Sequence, residues 1–321
     1  MADHADNDGG DGDNIFVYRG GRAPQHITHA RIDTSIDEIE DDAFENCENL
    51  LQVDTHDGIR KVGKQAFYHC RSLPQINLKS VVEIGQWAFR HCFNLADVEF
   101  GDRLETIGHS AFYHCSLQHL KLPSIITIGT SAFYECTHLT DVELSERLET
   151  IGAAAFSSCR SLQRIAIPLK RDLFEYSDYD EKCNQFDGCK QLIRLDLVGG
   201  IHKTATSLHM ESWRTEMLAE IDRINQVLPN TRADEKAEEI RQLMESAIDR
   251  MDHYKAAHCM YVKEGITLLE LALWKAKLGE KEDHSEEGTP RRTVKAARRN
   301  KRITCGADMV IKNVLPFLQL E

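Results

Sequence analysis

Long apolar runs are missing from this 321-residue chain. Its most apolar stretch, ITLLELALW at residues 266–274, is interrupted by Glu270 and followed by Lys275 and Lys277, short of the ~20 apolar residues that cross a bilayer. No basic n-region or apolar h-region opens the sequence. Residues 1–14, MADHADNDGGDGDN, are acidic and glycine-rich and read as a disordered tail rather than a secretory leader. There is no Asn-x-Ser/Thr acceptor and no Cys-x-x-Cys pair, although there are ten cysteines. Membrane insertion and a disulfide-stapled secreted domain are therefore not expected, and unpaired thiols favour a reducing compartment, cytoplasm or nucleus.

Catalytic signatures are missing as well. Gly-x-Ser-x-Gly, His-Glu-x-x-His and phosphate-binding loop patterns do not occur, so no enzyme activity and no cofactor are expected. GGDGDNIFV near the start approaches a calcium-binding nonapeptide, but Asn14 takes the aspartate position and the motif occurs once. Sites of that type need stacked copies, so no metal is expected. The net charge is -13, and the acidic excess lies in the first two thirds, which argues against a broad nucleic-acid footprint there.

Present instead is a repeat. AFENCENL begins at Ala43, AFYHCRSL at Ala66, AFRHCFNL at Ala88, AFYHCSL at Ala111, AFYECTHL at Ala132 and AFSSCRSL at Ala155, with a degenerate QFDGCKQL at Gln185. After each of the later units comes an alternating run such as LPQINL, LADVEF or LTDVEL, a strand with one buried face. Before several comes a shorter run ending in glycine, LETIG or IITIG, where the glycine is expected to supply a turn conformation that a Cβ disfavours. A fixed period of 21 to 23 residues marks a solenoid, in which one coil cannot bury its apolar face and stacking supplies the core.

The phrase IG-x-x-AF-x-x-C-x-x-L resembles the BspA-like leucine-rich repeats over about residues 30–200. The expected fold is an α/β-type repeat solenoid with short strands in each coil, followed by an α-helical domain. The resemblance implies a binding scaffold and no reaction. The tail FVYRGGRAPQHITHARI and the helical end look like one group within this family, occurring as expanded sets of paralogues, which suggests varied partners on a fixed scaffold.

A structural ladder is expected from Phe44, Phe67, Phe89, Phe112, Phe133 and Phe156, with Cys47, Cys70, Cys92, Cys115, Cys136 and Cys159 beside it. A thiol is a small hydrophobe, and these cysteines lack ligand spacing. His69, His91 and His114 precede three of the cysteines and should stack as a solvated ladder with no carboxylate beside them.

In each L-x-x-Φ-x-Φ strand the positions flanking the central Φ point outward. They hold Gln75 and Asn77, Asp97 and Glu99, His119 and Lys121, Asp141 and Glu143, Gln163 or Arg164 with Ala166, and Arg194 with Asp196. This is the expected protein-binding face, patterned so that two acidic coils bracket a basic one; a ladder of surface ion pairs is the plainer reading.

The chain divides into a tail (1–14), a solenoid of about seven coils (15–200), a helical domain (205–279), an acidic linker (280–289) and a basic helix with an apolar end (290–321). Met217, Ile221, Ile224 and Leu228 have helical spacing up to Pro229, and Thr231-x-x-Asp234 reads as the start of the next helix. Ile240, Met244, Ala247, Met251, Tyr254 and His258 continue a 4-3 stripe, and ITLLELALWKAKL reads as a third segment forming the buried centre of the domain. Dimerisation through helices 234–278 is the alternative use of that apolar face. Arg291, Lys295, Arg298, Arg299 and Arg302 fall on one helical face. They leave a second functional reading open, a nuclear adaptor engaging import factors or nucleic acid, though no aromatic residue interleaves for base stacking.

Overall fold

The computed structural model describes residues 15–176, 184–198 and 208–282. In chain order the elements are β1 (Ile15–Tyr18), β2 (His29–Ile32), β3 (Glu38–Ile39), β4 (Gln52–Asp54), β5 (Lys61–Val62), β6 (Gln75–Leu78), β7 (Glu83–Ile84), β8 (Asp97–Phe100), β9 (Thr106–Ile107), β10 (His119–Lys121), β11 (Thr127–Ile128), β12 (Asp141–Glu143), β13 (Thr150–Ile151), β14 (Arg164–Pro168) and β15 (Arg194–Val198), then α1 (Leu208–Val227) and α2 (Lys236–Glu282).

Every strand pairing is parallel, between one coil and the next. The two-residue strands form one ladder, β3-β5-β7-β9-β11-β13, whereas the longer strands fall into β1-β2-β4, β6-β8 and β10-β12-β14-β15. The break between β8 and β10 coincides with a deletion: Cys115 is followed by Ser116 and then Leu117, one residue fewer than in the neighbouring units. On the third side of each coil the AF-x-x-C turn bonds to the next. Ser110, Phe112 and His114 donate their backbone N–H groups to the carbonyls of Thr130, Ala132 and Tyr134 at 2.9, 2.8 and 2.8 Å.

Stacking the coils aligns identical side chains. The rings of Phe44, Phe67, Phe89 and Phe112 stand 5.0 Å apart and nearly parallel, and the column runs on through Phe133, Phe156 and Phe186. That spacing is close to the ~4.8 Å between paired strands, so backbone bonding rather than ring preference sets it. The cysteines form a second buried column. Each thiol reaches the coil before it: Cys70, Cys92, Cys115, Cys136 and Cys159 donate to the carbonyls of Phe44, Phe67, Phe89, Phe112 and Phe133 at 3.0–3.2 Å. Those carbonyls also accept the N–H of the cysteine in their own coil, so the thiol occupies a second lone pair that would otherwise be buried unpaired. Burial pushes the Cys47 thiol up to about 11 and that of Cys136 to about 12, far from the thiolate form that reacts.

The repeat glycines do not play the expected part. Positive φ among the described glycines occurs at Gly20, Gly21 and Gly188, and none of these is in the Ile-Gly turn. Gly85, Gly108, Gly129 and Gly152 instead lie against one another: a Cβ on Gly129 would stand 2.7 Å from the Gly108 carbonyl carbon and from His109 N. Left-handed backbone falls on other residues, the one before each Ala-Phe and the one before each Cys, as at Ser110 (φ 51), His114 (φ 62), Ala154 (φ 53) and Ser158 (φ 63).

Both ends of the stack are closed. At the first coil Tyr18 is fully buried, its ring 5.0 Å from Phe44. At the last, α1 turns Asn225 toward the open edge of β15, where its side chain accepts from Leu195 N at 2.7 Å and donates to Leu195 O at 3.1 Å. Ile224, Leu228, Ile240 and Met244 add apolar cover, and the buried Lys236 donates to the carbonyls of Lys190 and Leu192. A solenoid needs such caps because its last coil has no successor to pair with.

Two helical expectations are corrected. Thr231 does not start α2; its hydroxyl donates back to Val227 O at 3.1 Å and closes α1. Nor is ITLLELALWKAKL a separate, buried segment. It belongs to α2, one 47-residue helix, and Leu268 and Leu271 are exposed. Gly265 costs a helix only about 1 kcal/mol, too little to break one this long. Contacts group residues up to Asp252 as one unit and those from His253 as another. The basic run Arg291, Lys295, Arg298, Arg299 and Arg302, the tail 1–14 and the linker from residue 283 lie outside the described residues.

Candidate functional site

Parallel register carries the outward strand positions into rows. Gln75 stands beside Asp97 and Asn77 beside Glu99; His119 stands beside Asp141, and Lys121 beside Glu143. Arg164 lies between Asp141 and Arg194, with Asp196 two residues along. The β8–β10 break divides this face, so the first four residues share one sheet and the other seven share another. Ala166 is buried, unlike its expected outward position.

Within the second sheet the charges neutralise one another. Arg164 spans two carboxylates, with Nη1 3.0 Å from Asp141 and Nε 2.5 Å from Asp196, which also accepts from Arg194 at 3.1 Å. Bonding to Asp196 and Asp141 raises the Arg164 pKa above its ordinary value. Lys121 pairs with Glu143 at 3.2 Å and Lys79 with Glu99 at 2.9 Å; exposed pairs like these contribute at most about 1 kcal/mol. The Asp141–Arg164–Asp196 bridge is half-buried and fixes three side chains across three coils.

Beside it lies an open depression of about 370 Å³, lined by His119, Thr140, Asp141, Gln163, Arg164, Ile193 and Arg194. Four of these lie at the sequence-marked positions. Thr140, Gln163 and Ile193 immediately follow the repeat leucines; Gln163 is marked in the sequence as the alternative to Arg164, and Thr140 and Ile193 lie outside the marked set. The signal for them was Ile193, an aliphatic residue where other coils place Thr140 and Gln163; it is 47% exposed.

The turn side carries a second cluster. His91 is ringed by Tyr68, His69, Phe93, Tyr113 and His114, with centroids 4.9–6.2 Å away. A carboxylate does stand beside this ladder, contrary to the sequence reading: Glu135 takes the next rung, 3.6 Å from His114 Nδ1. Among the described residues no three His, Cys, Asp or Glu side chains are grouped to hold a metal ion. Arg90 Nε donates to His91 Nε2 at 3.3 Å, so the neutral ring carries its proton on Nδ1, which is buried without a partner among the described residues.

Burial, then the nearby Arg90, His69, His114 and Arg71, hold the His91 pKa down at about 4. An unfolded chain therefore takes up a proton near pH 6.5 that the folded ring refuses until about pH 4, and stability falls as pH drops through that window. Between pH 7 and 5 the natural chain is expected to lose about 1 kcal/mol more than His91→Asn, allowing for solvent screening of a half-buried ring. Asparagine suits the left-handed backbone at this position (φ 64). Urea unfolding at the two pH values measures the difference, and equal losses would rule out His91 as its source.

The family comparison agrees with this architecture. The model of the BspA type leucine-rich repeat region matches in six copies, over residues 23–127, 60–183 and 105–212. A solved leucine-rich repeat protein of T. pallidum is 26% identical, covering 57% of this chain and 73% of its own, with a TM-score of 0.37. One from Bacteroides ovatus is 23% identical over 55% of this chain and about half of its own (48%), TM-score 0.41. A leucine-rich cell surface protein of Faecalibacterium prausnitzii is 17% identical over 54% and 80%, TM-score 0.26. No curated protein matches the chain. Among the described residues no helix is long and apolar enough to cross a membrane. With stacked AF-x-x-C coils, a parallel ladder of two-residue strands and a family match over more than half its length, the chain belongs to the BspA-type leucine-rich repeat proteins.

Proposed function

We propose that the chain is a non-catalytic protein-interaction scaffold and that a partner segment docks in the depression between His119 and Arg194. The observation that carries this reading is the exposed Ile193 set in a floor of side chains already held in place by the Asp141–Arg164–Asp196 bridge. An apolar contact within pre-ordered polar groups binds at a lower entropy cost than a mobile charged surface does. Membership of a leucine-rich repeat family supports the same class of work. The buried, unpaired thiol column favours a reducing compartment and hence the cytoplasm.

Affinity capture tests the reading, with the natural chain beside Ile193→Asp/Arg194→Glu and Asp97→Lys/Glu99→Lys. All four residues are exposed, so circular dichroism should be unchanged. A partner lost only from the first pair supports docking in the depression. One lost only from the second moves recognition to the β6-β8 sheet, and one kept by both excludes the strand face.

A further inference from the structure

Beyond Asp252, α2 leaves large apolar side chains in solvent: Met260 is 64% exposed, Leu268 67% and Leu271 61%. Surfaces of this kind on a soluble helix normally meet another helix. Tyr254, Tyr261, Gly265 and Leu268 continue, at 4-3 spacing through residue 258, the stripe on which Ile240, Met244 and Ala247 are buried. The hydrophobic pattern thus runs past the point where its first half is used.

The continuing stripe matches itself. A twofold axis perpendicular to the helix, passing between residues 266 and 267, sets Leu268 of one copy opposite Gly265 of the other, and the reverse. Among the described residues nothing lies within 4 Å of a Cβ built at Gly265. A projecting leucine and an empty glycine position one turn apart are the knob and the hole of antiparallel helix packing.

We propose that this stripe is the interface of an antiparallel homodimer, in which Leu268 of each copy seats over Gly265 of the other. The arrangement is isologous and closes at two copies. It stands independently of the strand-face reading, and it would give each particle two strand faces, raising avidity for a multivalent partner. The competing occupant is the chain's own apolar segment at residues 303–320, ITCGADMVIKNVLPFLQL.

Sedimentation equilibrium on the full chain distinguishes them. The natural protein is expected at twice its 36.5 kDa mass, and Leu268→Lys at the single mass. Gly265→Leu is the sharper variant. It adds apolar surface and helix propensity, which would strengthen indiscriminate sticking, yet it fills the hole and should weaken the dimer at least about tenfold, or 1.4 kcal/mol. A single-mass natural protein at high micromolar concentration, a Leu268→Lys dimer or a tighter Gly265→Leu dimer would each overturn the proposal. So would a natural monomer that dimerises only when Val314→Lys/Leu318→Lys loosens the closing segment, which would identify that segment as the cover.

Discussion

Phe112→Ala is expected to lower the free energy of unfolding by about 3–5 kcal/mol, the range for a buried aromatic truncation. The ring is fully buried between Phe89 at 5.0 Å and Phe133 at 5.5 Å, with the edge of Phe100 5.6 Å away. The cost of such a cavity depends on how far its walls can close. Here the walls are rings whose separation is set by backbone bonds between coils, so the column cannot shorten over a single missing rung. The loss also falls on two interfaces at once, because a central coil shares its core with the coil on either side. Urea unfolding should show a lower midpoint; an unchanged slope would mean that the array still unfolds as one unit. Unchanged stability would show that the phenylalanine column is not what holds the coils together.

The readings that came directly from the sequence rest on one coil at a time. Alternation in LADVEF or LTDVEL is enough to place Asp97, Glu99, Asp141 and Glu143 on the outward side of a strand, because a strand's side chains alternate whatever lies beside it. Recurrence of Phe and Cys at one coil position is enough to expect columns. What stayed hidden depends on the relation between coils. That the Cys115 thiol meets the Phe89 carbonyl follows from the rise and rotation from one turn to the next, which no single repeat encodes. Glu135 is a different case: it holds in AFYEC the place that His114 holds in AFYHC, so the column rule alone sets it beside His114.

The depression on the strand face is hidden for a related reason. Its walls come from four coils of the sheet that begins at β10, apart from β8, and no single coil carries it. The helical end was misread on different grounds. A stretch apolar nearly all round is the sequence mark of a buried core helix, but whether anything covers it is decided by other parts of the chain or by another molecule, as with Leu268 and Leu271.

The glycines give the clearest separation of two physical causes that look alike in sequence. If Gly129 served a left-handed turn, alanine would suffer only backbone strain, about 1 kcal/mol, and nearby packing would be unaffected. Its φ is not left-handed, and the obstacle is the adjoining coil: the added methyl would meet the Gly108 carbonyl carbon and His109 N at 2.7 Å. Neither neighbour can swing aside as a flexible side chain could, because Gly129 N is itself bonded to Ile107 O at 2.8 Å across the same gap. Gly129→Ala is therefore expected to lower stability by about 3 kcal/mol, the upper part of the range for overpacking. Ala154→Gly should do the reverse. At φ 53 glycine removes strain while loosening the unfolded chain, and the two effects leave the protein between unchanged and about 1 kcal/mol more stable. Measured together by urea unfolding, the pair has opposite signs if close packing fixes the repeat glycine and left-handed backbone falls on the residue before Ala-Phe. A neutral Gly129→Ala would mean that the coils can move apart, and that the parallel rungs at β9 and β11 hold the stack less tightly than their hydrogen bonds imply.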